Sequence, residues 1–347
     1  MTDIVRFLRE YDGPPVRLME VCGTHTAEIS HSGIPRMLSK QIQLISGPGC
    51  PVCVTVTDYI DKLVELSKAP HTVVASFGDL LRVPGSRESL SDAKGEGARV
   101  QMLYSPMELL ILAKEHPDTR FVFAAVGFET TTPAYALLLS RALEQGIENL
   151  QILTSLKTMP SVIDWVCRNG GNLDGFLAPG HVSVVTGSRI FEPLSERWQI
   201  PFVVAGFEPQ QLLDAIYALV KRRGKAGVWN LYPSVVTREG NVQAQQLVQK
   251  FFEPCPAAWR GMGLLPDSGL ALREEYARFD AGSWGLDQDH ESNPACHCAQ
   301  VLMGKISPHG CPLFGQTCTP QHPQGACMVS AEGSCFQYLT NHREDWI

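Results

Sequence analysis

Nowhere in these 347 residues does an apolar run approach the ~20 that a membrane-spanning helix needs, so a membrane-embedded protein is not expected. Excess positive charge is missing too. The formal net charge is -7, which gives no electrostatic reason to expect nucleic-acid binding. The segment from Met1 to Tyr11 lacks the uninterrupted apolar core of a secretory signal and, with Asp3, Arg6, Arg9 and Glu10 spread along it, reads as a short amphipathic helix. These absences point to a cytoplasmic protein, in which thiols are kept reduced and a disulfide scaffold is the wrong starting assumption. Past Asn293 hydrophobic periodicity is also scarce, while glycine, proline and cysteine dominate. Such a segment does not build a conventional core, so something else must order it.

With 44% hydrophobic and 19% charged residues, the chain is long enough and apolar enough to bury a large core and divide into two or three domains. From about residue 40 to 236, short β-branched runs alternate with amphipathic stretches, the signature of parallel α/β architecture. The expected strands are Ile42 to Ser46, Thr72 to Ser76, Phe121 to Val126, Gln151 to Thr154, Gly175 to Leu177 and Phe202 to Ala205. Between them, Tyr59 to Leu66, Pro106 to Glu115, Ala134 to Leu143 and Gln210 to Lys221 carry apolar residues at helical spacing.

One six-stranded sheet satisfies this pattern, but two smaller α/β domains satisfy it better. An internal echo favours the pair: FVFAAVGFE at Phe121 to Glu129 and FVVAGFE at Phe202 to Glu208 each run a strand into Gly-Phe-Glu before a helix opened near proline. Those turns would lie at the carboxyl ends of strands, where open α/β sheets bind ligands. Equally, the glycines can serve tight turns and the glutamates the helix dipole. The expected units are 15–118, 119–238 and a cysteine-rich third region at 239–347, with 1–14 joining it. A helix from Val242 to Phe252 is expected to open that third region.

Six of the eleven cysteines crowd the tail as Cys296-x-Cys298, Cys311-x6-Cys318-x8-Cys327-x7-Cys335. Structural zinc sites usually pair cysteines two to four residues apart, and the tail offers no such knuckle beyond the cramped C-x-C. Wide intervals suit an iron-sulfur cube, whose irons take thiolates at separated corners. Zinc and free or disulfide-forming thiols remain the alternatives. Cys311, Cys318, Cys327 and Cys335 are the favoured ligands, with Cys296 and Cys298 left as a redox dithiol beside them.

Gly47-Pro-Gly-Cys50-Pro-Val-Cys53 follows one expected strand and precedes a helix, a position where backbone N–H groups and the helix dipole lower thiol pKa values. Two thiols at this spacing close a reversible disulfide, chelate one soft metal ion, or pack as small apolar side chains. Cys22-Gly-Thr-His25-Thr places a thiol and an imidazole three residues apart, suited to one metal, to a thiolate-imidazolium pair, or to a structural histidine. Cys167 and Cys255 read as structural. His181 is placed either in a turn or facing a cleft.

Taken together, Cys22-Gly-Thr-His-Thr26, Gly47-Pro-Gly-Cys-Pro-Val-Cys53, Gly127-Phe-Glu-Thr-Thr-Thr-Pro133, Ala178-Pro-Gly-His-Val-Ser183 and the tail Cys311-Pro-Leu-Phe-Gly315 through Gly325-Ala-Cys-Met-Val-Ser330 resemble the HypD family. The family comprises iron-sulfur maturation factors of nickel-iron hydrogenases, and the motifs span residues 22 to 335. The resemblance implies two α/β domains and a third holding a 4Fe-4S cluster. It implies a scaffold on which Fe(II) acquires two cyanides and one carbon monoxide, with the small chaperone HypC and the cyanide donor HypE as partners and the hydrogenase large subunit as recipient. Carried over by motif, Cys22, Cys50 and Cys53 are the thiols at the assembly site, and His25 belongs to the same motif. The reading is a metallocentre-assembly factor with redox activity. Its rival is an iron-sulfur-dependent thiol-disulfide oxidoreductase acting on a protein client.

Overall fold

The computed structural model describes residues 2–169, 171–290 and 293–341. Among these residues all six expected strands form, together with five more. In chain order they are β1 (Val16–Glu20), β2 (Ile42–Ser46), β3 (Thr72–Ser76), β4 (Val100–Met102), β5 (Arg120–Gly127), β6 (Leu150–Lys157), β7 (Gly175–Pro179), β8 (Pro201–Ala205), β9 (Gly227–Asn230), β10 (Phe252–Trp259) and β11 (Gly263–Leu272). The expected helices form with slightly longer or shorter ends, as Thr2–Glu10, Thr57–Lys68, Glu108–Glu115, Thr132–Glu144 and Pro209–Lys221. Met1 lies outside the described residues.

Two sheets result. The first runs β2-β1-β7-β8-β9, parallel throughout; the second runs β10-β11-β6-β5-β3-β4, with its β6-β5-β3-β4 part parallel. This α/β layering matches the expected class. The boundaries expected at 118 and 238 do not match the sheets, because residues 15–118 supply β1 and β2 to the first sheet and β3 and β4 to the second. The cause is a long-range pairing: β1 lies beside β7, with Leu18 opposite Gly175 and Glu20 opposite Leu177. Local periodicity reports that a strand exists, not which strand it joins.

The stretch after residue 241 departs from expectation in a second way. The helix at Val242–Phe251 forms, but the Pro- and Gly-bearing segment behind it is an antiparallel hairpin that completes the second sheet through β11 and β6. Pro254 and Pro256 sit in β10, the outermost strand, with an irregularity between Cys255 and Ala257. An edge strand tolerates proline because its outward N–H groups have no ladder partner to lose. Trp259 closes this hairpin onto the core, fully buried, stacked on Phe128 at 5.9 Å and donating from Nε1 to Ser268 Oγ at 2.9 Å.

The tail has two short helices, Cys298–Leu302 and Ser334–Asn341, and several single turns. Burial against both sheets orders it. Gly304, at φ +66°, is pressed so close to β2 that a Cβ would come 2.4 Å from Ile45 Cγ2. Gly261, in the hairpin turn, leaves equally little room, 2.0 Å, before Ala299 Cβ. Ser30 Oγ donates to the Gln337 carbonyl at 3.3 Å, and Arg82 Nη1 to the Pro320 carbonyl at 3.2 Å. Among the described residues no helix is long and apolar enough to cross a membrane.

Candidate functional site

At the carboxyl edge of the first sheet, β1 runs into Cys22 and the helix Gly23–His31, β7 into Gly180-His181, and β8 into Gly206-Phe207-Glu208. Three motifs far apart in sequence therefore meet, as the strand-end rule for open α/β sheets requires. The His25 ring is fully buried, its Nε2 3.0 Å from the Gly206 carbonyl, which assigns the proton to Nε2 because a carbonyl only accepts. Nδ1 is then a buried lone pair with no hydrogen-bond partner among the described residues. Burial holds the ring neutral, lowering its pKa from 6.5 to about 4. Phe207 lies between two imidazoles, 4.9 Å from His25 and 3.9 Å from His181 in a stacked arrangement. His181 thus belongs to this edge, on its exposed side. Phe207 is a site residue that the sequence reading passed over, although its place in Gly-Phe-Glu was in view.

β2 ends in Gly47-Pro-Gly-Cys-Pro-Val-Cys, and this loop carries the chain from the first sheet to the helix Thr57–Lys68, which packs on β3 of the second. Here the loop touches Cys22. The Gly23 N–H donates to the Gly49 carbonyl at 3.0 Å, and a Cβ on Gly49 would lie 2.2 Å from the Cys22 nitrogen. Glycine is required there for close backbone approach, not for an unusual φ. Cys50 and Cys53 form a disulfide with Cα atoms 5.3 Å apart, both nearly fully buried. In this state neither thiol titrates, so the lowered pKa expected at the turn has no group to act on.

Cys22 carries the opposite of an activated thiol. Burial pushes its pKa up to about 12, and the neighbouring Glu20 and Glu332 carboxylates add to the rise, against N–H groups of His25 and Thr24. Glu20 is itself buried; burial lifts its carboxyl to about 7, opposed by hydrogen bonds from Ser46, Thr26 and the Cys22 N–H, the last at 2.9 Å. Glu332 comes from the tail, accepts from Thr24 Oγ1 at 2.9 Å and covers Gly23 so closely that a Cβ there would meet its own Cβ at 2.4 Å. Sequence reasoning named neither glutamate. A Glu next to the Cys-Gly-Thr-His motif was the available signal.

All six tail cysteines line one small cavity, with Phe314 and Met328. Among the described residues no oxygen or nitrogen side chain lines it, and an all-sulfur donor set suits an iron-sulfur cluster better than a hard cation. Gly325 keeps the cavity open, since a Cβ there would come 2.9 Å from Cys296 Sγ. Among the described residues no three ligating side chains converge on a single-ion position. The structure does not set Cys296 and Cys298 apart as a separate dithiol: Cys298 Sγ is 3.0 Å from Cys327 Sγ, and the two share a hydrogen bond. That bond, with the nearby Arg260 guanidinium, favours the thiolate on Cys298. The cavity abuts the disulfide loop, because Cys53 Sγ lies 4.0 Å from the carbonyl of Ala326, the residue before Cys327.

The two Gly-Phe-Glu turns, alike in sequence, differ in space. Glu208 is exposed and caps the helix Pro209–Lys221 together with Gln211. Glu129 turns its carboxyl inward, accepting the Met159 N–H at Oε1 (2.9 Å) while Oε2 is buried without a partner among the described residues. Cys167 is half-buried against the core on the helix Met159–Asn169, and Cys255 half-buried on β10.

The protein is thus an α/β frame that brings nine of eleven cysteines, Cys22, Cys50, Cys53 and the six of the tail, into one neighbourhood. Comparison with known sequences narrows that class. The family model described as HypD, hydrogenase formation hypA family, matches residues 1–342. Over 340 residues the chain is 43% identical to the hydrogenase maturation factor HypD of Azotobacter vinelandii, covering 94% of this chain and 90% of that one. Against the factors of the same name from Escherichia coli and Cupriavidus necator the identity is 41% over 344 and 345 residues, covering 95% of this chain and 91% of each. The chain belongs to the HypD family of hydrogenase maturation factors.

Proposed function

We propose that the chain is the scaffold on which the iron group of nickel-iron hydrogenase, carrying two cyanides and one carbon monoxide, is assembled before delivery to the large subunit. The observation that carries this reading is the contiguity of the thiols: Gly49 seats the Cys50–Cys53 loop on Cys22, while Cys53 lies against the residue preceding Cys327. Cys22 with Cys50 and Cys53 in their reduced form holds the cargo Fe(II). Thiolates suit such a soft, electron-rich centre. Opening the disulfide consumes two electrons and two protons and yields two thiols. A 4Fe-4S cluster on Cys311, Cys318, Cys327 and Cys335 supplies single electrons when bound.

The chain's own residues then manage protons and water. Cys22 must lose a proton that burial makes hard to lose, and Glu20, lifted to about 7, is a base within the same pocket. His25 stays neutral, anchored through Nε2 and offering its Nδ1 lone pair. Burial of Cys22, His25 and both loop cysteines excludes bulk water. HypC, sharing the iron through its N-terminal cysteine, and HypE, delivering cyanide, are the partners in this reading, which takes place in the cytoplasm.

Infrared spectroscopy on the chain purified without air together with HypC tests the proposal. Bands of iron-bound cyanide and carbon monoxide are expected; their absence from a fully reduced, partner-bound sample overturns it. The disulfide beside a cysteine cavity also favours a second reading, an iron-sulfur-dependent thiol-disulfide oxidoreductase. Cys22 separates the two. A reductase keeps disulfide turnover in Cys22→Ala, whereas the scaffold loses its iron.

A further inference from the structure

The carboxyl end of the second sheet holds a cavity of about 210 Å3 that the cysteine chemistry does not use. Lys157 on β6 and Cys255 on β10 both line it, and they stand in register across β11, where Gly269 faces each of them. Residues directly opposite on neighbouring strands share a sheet face, so Lys157 and Cys255 stand on either side of a position without a side chain. A Cβ at Gly269 would come 2.6 Å from Ala257 Cβ and 3.3 Å from Cys255 Sγ, so glycine keeps that gap open.

Lys157 is only 2% exposed, yet its ammonium makes one hydrogen bond among the described residues, to Ser155 Oγ at 2.7 Å. An ammonium has three donors, and burying it without a counter-charge is costly. No carboxylate pairs with it among the described residues, and the Trp259 ring centroid lies 5.8 Å away. Burial lowers its pKa to about 7; Cys255 opposes the fall and the like charge of Arg260 adds to it. The mouth has the opposite character. Leu264 and Trp284, 55% and 67% exposed, line it as large apolar side chains in solvent. Asp287 lines the cavity as well, on its exposed side.

A buried amino group with spare donors beneath an apolar rim matches an amphipathic anion of single charge. The geometry points to a binding site for a small monocarboxylate with an apolar or planar body, its carboxylate on Lys157 Nζ and Ser155 Oγ and its body against Leu264 and Trp284. This site is independent of the hydrogenase reading.

Calorimetric titration of the full chain with benzoate, and with benzyl alcohol as the uncharged comparison, tests it. Benzoate is expected to bind, and benzyl alcohol to bind about tenfold more weakly or worse, the usual worth of a hydrogen bond to a charged group. Lys157→Met keeps the side-chain length and removes the buried charge, so it is expected to fold and to lose about tenfold or more in benzoate affinity. Trp284→Ala loses a smaller factor. Absence of benzoate binding, equal affinity for benzyl alcohol, or undiminished affinity in Lys157→Met overturns the inference. The comparison of the two ligands on the unaltered chain holds even if the Met variant folds poorly.

Discussion

Glu129 offers a clean measurement of what burial does to a carboxyl in this fold. Its pKa is raised from 4.5 to about 7 by burial, opposed by its own and the Met159 N–H groups, with no other charged side chain among the causes. An acid whose folded pKa lies above its unfolded value contributes stability that is complete below about pH 4.5 and lost as pH rises through about 7. From 4.5 to about 7, at about 1.4 kcal/mol per pH unit, the loss amounts to about 3 kcal/mol by pH 8. In Glu129→Gln the Oε1 acceptor for Met159 is kept and the buried ionisation is removed. Relative to this variant the unaltered protein is therefore expected to weaken by about 2.5 kcal/mol between pH 5 and pH 8, a few degrees of Tm. Glu20 and His25 also titrate abnormally and bend the absolute pH curve, but they are common to both proteins and cancel in the difference. Thermal melts of both proteins at pH 5, 6, 7 and 8 provide the assay. Parallel curves across this range would refute the reasoning, because a carboxyl that ionises freely leaves no pH-dependent difference.

Other perturbations follow from the same geometry. Gly49→Ala places a methyl group 2.2 Å from the Cys22 nitrogen, backbone that has nowhere to go, and is expected to cost about 1–3 kcal/mol in denaturant melts and to displace the Cys50–Cys53 loop. Trp259→Ala opens a cavity beneath the hairpin and orphans the Ser268 contact, for a loss of about 3–5 kcal/mol by the same assay. Protein purified in air, denatured without reductant and alkylated, is expected to show nine modified cysteines of eleven by mass spectrometry, with Cys50 and Cys53 protected; eleven would contradict the disulfide. Serine variants of the six tail cysteines, reconstituted with iron and sulfide, are expected to lose cluster absorbance at Cys311, Cys318, Cys327 and Cys335 and to retain it at Cys296 and Cys298. A strong loss at Cys298 would instead assign it a ligand position in place of a favoured one.

Much was legible in the chain itself. Strand and helix periodicity is local, so six strands and the main helices could be placed, and the thiol motifs are contiguous words that carry the family resemblance without any coordinates. The hairpin was obscured because proline and glycine argue against strand wherever the edge position is unknown; only knowing that β10 is outermost makes Pro254 and Pro256 acceptable.

The sequence by itself determined the α/β class, the cysteine inventory and the residues fit for sulfur chemistry, because composition, period and motif spacing are properties of short segments. Tertiary structure alone decided that β1 joins β7, that Gly49 presses the Cys50–Cys53 loop onto Cys22, and that Phe207 separates His25 from His181. It also decided that one Gly-Phe-Glu glutamate turns its carboxyl inward while its twin caps a helix in solvent. Each of these is a meeting of distant segments, set by which apolar faces bury against one another. Burial in turn sets the charge states of Cys22, Glu20, Glu129 and Lys157, which no local pattern encodes.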